Sequence, residues 1–354
     1  MRIVVAMSGG VDSSVAAALL VEQGHDVIGL SMQLYDQEVD KQKFGGCCSI
    51  EDLHDARRTA ATLGIPHYLM NFERQFNDSV VSAFVREYAI GRTPIPCVHC
   101  NSDLKFTHLL DRAKGLGAEA VATGHYARID RASDPDRVLL QRGADPSKDQ
   151  SYFLFTLTPV QLSRVLFPVG DLDKHEVRVY AQKRGLPVAN KPDSQELCFI
   201  PDGDTGRFIE ERQPTVSRTG PIYDTLGKRI GTHGGIHRFT VGQRKGLGLS
   251  NGVPLYVLKI DPNGDALTVG PRTEMERRSL TASAVNWIVP TPPGSKRRVT
   301  ARLRHRHPDT PASVRSLTGQ RAHVVFDEPQ SAVAPGQAVV FYDRDIVVGG
   351  GWID

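Results

Sequence analysis

"RIVVAMSGGVDSSVAAALLVEQG", residues 2–24, decides the fold. Its opening "RIVVAM" is a short β-branched apolar run that suits a buried strand, and "SSVAAALLVEQG" reads as a helix stopped at Gly24. Between them, "AMSGGVDSS" places Gly9 and Gly10 where a backbone can wrap an anion. The amides that follow point into such a loop, and the helix beginning near Ser13 adds the positive end of its dipole. The loop therefore has the form of a phosphate cradle. No Gly-Lys-Ser/Thr closes it and the dinucleotide glycine spacing is missing, so it is neither of those better-known phosphate loops.

Outward from this stretch the α/β rhythm continues. "DVIGLSM" is a second strand, "SIEDLHDARRTAATLG" a helix with Leu53, Ala56, Ala60 and Leu63 on one face, and "PHYLMNF" a third strand. "NSDLKFTHLLDRAKGLG" reads as a helix with Asn101 as its N-cap, followed by the strand "AEAVATGHYA". Strands alternating with helices predict a parallel sheet covered on both faces. After about residue 201 the texture changes to glycine-rich turns and short β segments, which predicts a small central domain and then a small β-barrel or sandwich.

The 354 residues exceed one compact core. With 40% hydrophobic and 23% charged residues and no long apolar run, no membrane span is expected. The start lacks a basic leader or cleavage site, so a cytoplasmic, thiol-reducing address is expected. Net charge is only +3, but residues 295–308, "SKRRVTARLRHRHP", hold six Lys or Arg and no acid. Alternation along that run would put Thr300, Arg302, Arg304 and Arg306 on one face, a ladder for nucleic-acid phosphates.

Five cysteines remain. Cys47 and Cys48 are adjacent, which suits buried packing better than chelation. Cys97 and Cys100 form one Cys-x-x-Cys with no second copy, which excludes a four-cysteine zinc site; the last thiol is Cys198. Cys100 precedes Asn101, the expected N-cap, and Lys105 follows, so its thiol is expected to be more acidic than usual.

The run "SGGVDSS" resembles the pyrophosphate loop of the ATP pyrophosphatase superfamily, which cleaves ATP between its α and β phosphates and adenylates a substrate oxygen. Together with "CN" followed by "DLKF", "ATGHYAR", "KDQSYFL", "SQELCFIP" and "FTVGQRKGLG", the chain resembles, nearly end to end, the MnmA tRNA 2-thiouridylases. The resemblance implies a PP-loop ATP-binding domain over 1–203, a small central tRNA-binding domain over 204–276 and a C-terminal β-barrel over 277–354. It implies adenylation of the wobble uridine O2 and replacement by sulfur, with ATP and Mg2+ as cofactors. Partners would be tRNA and a cysteine desulfurase or sulfur-relay protein.

By that resemblance Cys198 carries a persulfide and Cys100 is the nucleophile that frees its sulfur, leaving a transient disulfide between them; Cys100 acting on protons is the other option. Ala6, Met7, Ser8, Gly9, Gly10, Val11, Asp12 and Ser13 would hold ATP, with Met32 and Gly124 beside the adenosine. His125, Lys148, Asp149, Gln150, Arg304, His305 and Gln337 match tRNA-contacting positions. Many family members have Asp where this chain has Cys97. Two readings of Cys97 stay open: a spare thiol beside a persulfide route, or a ligand, with Cys100 and Cys198, of a 4Fe–4S cluster. A ligase of small metabolites and a silent tRNA-binding protein are the competing classes; neither needs both thiols.

Overall fold

The computed structural model describes residues 1–35, 49–131, 138–193, 197–200, 202–249 and 252–354. Cys47 and Cys48 lie outside the described residues. The chain divides into two compact units, the first made of Met1–Val80, Cys97–Gly203 and Asp345–Val347.

The first unit is built on β1 (Arg2–Ala6), β2 (Asp26–Gln33), β3 (His67–Asn71), β4 (Ala120–Ala122) and, later in the chain, β7 (Val165–Leu166). They form a parallel sheet in the order β3-β2-β1-β4-β7. Ile3, Val4 and Val5 are successive residues and each is 0% exposed, so both faces of β1 are covered, as a central parallel strand requires. Helix α1 (Val11–Glu22) and helix α2 (Ile50–Leu63) bring Ala17, Leu20, Ala56 and Ala60 onto Ile3, Val5 and Met7. Alanines at these contacts let the helices lie close to the sheet. Ser49 and Asp52 close a capping box at the start of α2, and Gly64, at φ 68°, ends it in the left-handed region where glycine is at no disadvantage.

Two local features differ from the sequence reading. Strands β5 (Ala127–Asp130) and β6 (Leu139–Arg142) pair as an antiparallel hairpin that the α/β rhythm does not announce. The helix expected to start after Asn101 instead starts at Pro96, runs α-helically over Pro96–His99, continues as a π-helix over Cys100–His108 and returns to α over Leu109–Gly115. Proline fits a first helical turn, where its missing N–H is no loss, so the chain enters the helix earlier than the Asn signal suggests. Asn101 is therefore not the N-cap, and Cys100 lies one turn inside the helix rather than just before it.

The second unit holds Val81–Pro96, Asp204–Arg344 and Val348–Asp354. It contains β8 (Gly220–Tyr223), β9 (Arg229–His233), β10 (Tyr256–Asp261) and β11 (Ala266–Gly270) in a four-stranded sheet ordered β10-β11-β8-β9. Strands β12 (Arg277–Trp287), β13 (Lys296–Arg302), β14 (Thr310–Leu317), β15 (Arg321–Gln330), β16 (Ala338–Asp343) and β17 (Ile346–Ile353) follow in the order β12-β15-β14-β13-β16-β17. Pairing of β12 with β17 closes the ring, so the C-terminal part is a barrel and not a sandwich. Val299, Ala301, Ala312, Val314, Val324 and Phe341 fill it.

Residues 81–96 belong to this unit although they precede residue 203. The helix Ser82–Ala89 sets Phe84 edge-on to Tyr88 and Phe208, with ring centroids 4.9 and 6.2 Å away. Thr93 N–H donates to the Pro335 carbonyl at 2.9 Å. No helix among the described residues is long and apolar enough to cross a membrane.

Phe84 is 2% exposed, so Phe84→Ala is expected to cost about 3–5 kcal/mol through the cavity it leaves. Calorimetry with hydrogen exchange should show the loss in residues 204–344 first; an earlier loss of protection in β1 would contradict the placement of 81–96.

Candidate active site

The loop leaving β1 is shaped by one close approach. Gly9 has φ 75°, and a Cβ there would stand 2.1 Å from the Asp52 carbonyl oxygen, so no other residue fits without moving α2. Gly10 caps α1 with no side-chain hydrogen bond, which leaves the first-turn amides of the helix facing the loop without a competing side-chain acceptor. Ser8 N–H donates to Ser13 Oγ at 3.2 Å, and the hydroxyls of Ser13 and Ser14 donate to the Gly10 carbonyl at 3.1 and 2.9 Å. Ala6, Met7, Ser8, Gly9, Gly10, Val11, Asp12 and Ser13 thus form one continuous turn from strand end to helix start.

Met32 lies near the end of β2 on one side of β1, and Gly124 follows β4 on the other. A Cβ on Gly124 would meet Ser13 N at 2.5 Å, so this glycine allows the chain after β4 to close over the start of α1. The loop lies past the carboxyl end of β1, in the parallel sheet, where open α/β sheets bind ligands.

Charge is concentrated around this loop. Both Asp12 carboxylate oxygens accept from Lys174 Nζ, at 2.7 and 2.9 Å, and Tyr126 OH donates to Oδ1 at 2.7 Å. Burial, then the Asp12 charge and hydrogen bond, push the Tyr126 phenol up. Lys174 also reaches Asp193 at 2.8 Å, and Asp193 further binds Lys148 at 2.7 Å and Arg178 at 2.9 Å. Burial raises the Asp193 carboxyl, but Lys148 and Lys174 outweigh it and bring it down to about 2. Lys191 donates to the Gly9 carbonyl at 3.1 Å and to Asp52 and Asp55 at 2.6 and 2.5 Å. Burial alone would lower its ammonium; the two carboxylates raise it instead.

Lys174, Lys191, Asp193, Asp52 and Tyr126 are residues that sequence reasoning missed. Tyr126 lies inside "ATGHYAR" but nothing in that run singles it out, and the two lysines and two acids carry no motif of their own. A divalent cation at the loop would find Asp12 as its protein carboxylate only by displacing Lys174 from it.

Gln150 and Asp149 are held within the first unit. Gln150 Oε1 accepts from Tyr126 N–H at 3.0 Å, and Gln150 N–H donates to the Tyr126 carbonyl at 2.9 Å. Asp149 is 3% exposed, accepts from the N–H groups of Gly143 and Ser151 and pairs with Arg142. Its carboxylate organises the turn that presents Lys148. His125 packs between Phe106 and Phe167, each ring centroid 6.0 Å away, with Nδ1 2.8 Å from Thr123 Oγ1. Burial and the Lys105 charge hold its imidazole well below the usual value, so it is neutral at pH 7.

The thiols share the same unit. Cys97 is exposed, Cys100 and Cys198 are half-buried, and none of the three is in a disulfide. Tyr35 OH donates to the Cys198 carbonyl at 3.3 Å, and Phe76 packs edge-on to Phe199 at 5.7 Å. The short helix Glu73–Phe76 that carries Phe76 also packs on the π-helix headed by Cys100. Next to Cys100, His99 Nδ1 lies 3.0 Å from Asp103 Oδ2. Among the described residues no three His, Cys, Asp or Glu side chains group as metal ligands.

In the second unit the expected arginine ladder breaks. Strand β13 ends at Arg302, and residues 303–307 turn, with His307 N–H donating to the Arg304 carbonyl. Arg302 binds Asp309 at 2.9 Å and lies over the Tyr342 ring, so its guanidinium is already engaged, while Arg304 and Arg306 are exposed on the turn. Gln337 Nε2 donates to the Thr93 carbonyl at 2.9 Å.

Comparison with known proteins gives a consistent result. Three family models match in succession: the tRNA methyl transferase HUP domain over residues 1–202, the tRNA methyl transferase PRC-barrel domain over 206–271 and the aminomethyltransferase beta-barrel domain over 277–353. The chain is 53% identical to the tRNA-specific 2-thiouridylase MnmA of Geotalea uraniireducens, over 100% of this chain and 95% of that one. It is 52% identical to the protein of the same name from Geobacter metallireducens, over 100% and 96%. Among solved structures, NMN synthetase from Francisella tularensis is similar at a TM-score of 0.33 and 16% identity, over 60% of this chain and 76% of that one, too slight a likeness to bear on function.

Asp193 has a folded pKa near 2 against an ordinary 3.8, so its ion pairs stabilise the fold fully above about pH 4 and that contribution is lost as pH falls toward 2. Asp193→Asn is expected to cost about 1 kcal/mol at pH 7 and to flatten the fall in stability between pH 4 and 2 in urea titrations; an unchanged acid slope would contradict the network.

Proposed function

The chain belongs to the tRNA-specific 2-thiouridylase family, and on that premise we propose that it replaces O2 of a tRNA wobble uridine by sulfur, using ATP to activate the oxygen. The observation that carries this is the placing of an open anion loop, its charged surround and two half-buried thiols in one unit. A methyl transfer, as the family-model descriptions would suggest, needs neither the loop nor the thiols.

A uracil carbonyl oxygen is a poor leaving group. Attack of O2 on the α-phosphate of ATP makes an adenylate and expels pyrophosphate. The amides at the start of α1 would hold the phosphates as charge develops, with Lys174 the nearest cation on Asp12. Mg2+, when bound, would neutralise phosphate charge, with Asp12 as its protein ligand. Met32 and Gly124 would border the adenosine.

Sulfur follows from Cys198 as a persulfide, loaded by a cysteine desulfurase or relay protein. The Cys100 thiolate attacks Cys198 Sγ, a Cys100–Cys198 disulfide forms, and hydrosulfide leaves. That hydrosulfide adds at C2 of the adenylated uridine, and AMP departs. His125 and Lys148, with Asp149 and Gln150 fixing their segment, would meet tRNA near the site. Arg304, His305 and Gln337 would meet it on the second unit, with the exposed turn, and not a strand face, offering the phosphate contacts.

Cys100→Ser and Cys198→Ser are each expected to lower thiolation of unmodified tRNA by about a thousandfold while tRNA-dependent pyrophosphate release falls by less than about tenfold. Loss of pyrophosphate release in both folded variants would overturn the two-step reading.

A further inference from the structure

The proposed sulfur transfer leaves an unsolved step. Each turnover ends with Cys100 and Cys198 joined, and Cys198 must become a thiolate again before it can take another sulfur. Both residues are half-buried, which slows direct attack by an outside reductant. Cys97 is exposed, it sits in the first turn of the helix that starts at Pro96, and Cys100 follows it by three residues.

We propose that Cys97 is the resolving thiol of this site, passing the Cys100–Cys198 disulfide outward to the surface. This rests on the persulfide reading above. Residues three apart on a helix have Cβ atoms about 5–6 Å apart. Their Cα atoms, roughly 5–5.5 Å apart, fall within the range a disulfide spans. A small adjustment of the first turn therefore joins Cys97 to Cys100, and the turn's position at the helix start leaves it room to adjust. The intervening His99 is engaged with Asp103, one turn further along.

The exchange balances without an oxidant. The Cys97 thiolate attacks Cys100 Sγ, the Cys100–Cys198 bond breaks, and the Cys97–Cys100 bond forms. Cys198 leaves as a thiolate, ready for the next sulfur. A dithiol reductant then supplies two electrons and two protons to the exposed Cys97–Cys100 disulfide, and all three thiols are restored. The Cys-x-x-Cys at the start of this helix becomes the exit for oxidising equivalents that the sulfur transfer produces.

The test is a single turnover of the persulfide-loaded full chain with ATP and unmodified tRNA, without reductant and under anaerobic conditions, quenched with N-ethylmaleimide. Trypsin cuts after Arg92 and Lys105, so residues 93–105 carry both Cys97 and Cys100 on one peptide. Wild type is expected to give that peptide with an internal disulfide and Cys198 alkylated, whereas Cys97→Ser gives a crosslink between Cys100 and Cys198. With limiting dithiothreitol, steady-state thiolation by Cys97→Ser should fall by about tenfold or more and recover as the dithiol is raised. Wild type that makes 2-thiouridine but stops at the Cys100–Cys198 crosslink overturns the role of Cys97 alone. An internal 93–105 disulfide that also forms in Cys198→Ser overturns it too, because it then does not come from the exchange. Wild type that forms neither 2-thiouridine nor any disulfide overturns the sulfur-transfer reading itself.

Discussion

One ammonium group holds the phosphate loop in place. Lys191 Nζ reaches the Gly9 carbonyl, Asp52 and Asp55 together, so the turn after β1, the start of α2 and the segment leading to Cys198 meet at one nitrogen. Asp52 also caps its own helix through Ser49, and its carbonyl is the group that a side chain on Gly9 would strike. The glycine is needed because the helix is close, and the helix is close because the lysine joins the two carboxylates to the loop. With this clamp the loop keeps its open amides; without it the two acids would repel the anion the loop is built to receive.

A second set of ion pairs keeps the loop's own carboxylate occupied. Asp12 shares Lys174 with Asp193, and Asp193 shares Lys148 and Arg178. Lys148 and Asp193 thus join the turn after β6 to the segment before Cys198. The segments that the proposed reaction uses for activation and for sulfur are thus joined by charge within one unit.

The parts of this architecture that the sequence made legible are those fixed by local chemistry. The strand-loop-helix at residues 2–24 showed itself through apolar run, glycines and helical spacing, and α2 through its Ala56 and Ala60 face and its Gly64 stop. What stayed hidden depends on distant partners. Residues 81–96 look like any stretch of the first unit until Phe84 is seen against Phe208. Lys174 and Lys191 are ordinary lysines until Asp12 and Asp52 are found beside them. Asn101 carries a strong capping signal, yet the chain enters its helix at Pro96, and the π-helical stretch over Cys100–His108 depends on packing that periodicity does not report. The alternation through Arg302, Arg304 and Arg306 predicted a ladder, but the strand stops at Arg302, where Asp309 and Tyr342 take the guanidinium.

The central claim is that the uridine oxygen leaves on the α-phosphate of ATP, and oxygen labelling tests it directly. Unmodified tRNA carrying heavy oxygen at O2 of the wobble uridine would be thiolated by the wild-type chain and the AMP weighed by mass spectrometry. The account predicts one heavy oxygen in each AMP formed per 2-thiouridine. AMP of ordinary mass, with the label released to water, would contradict it.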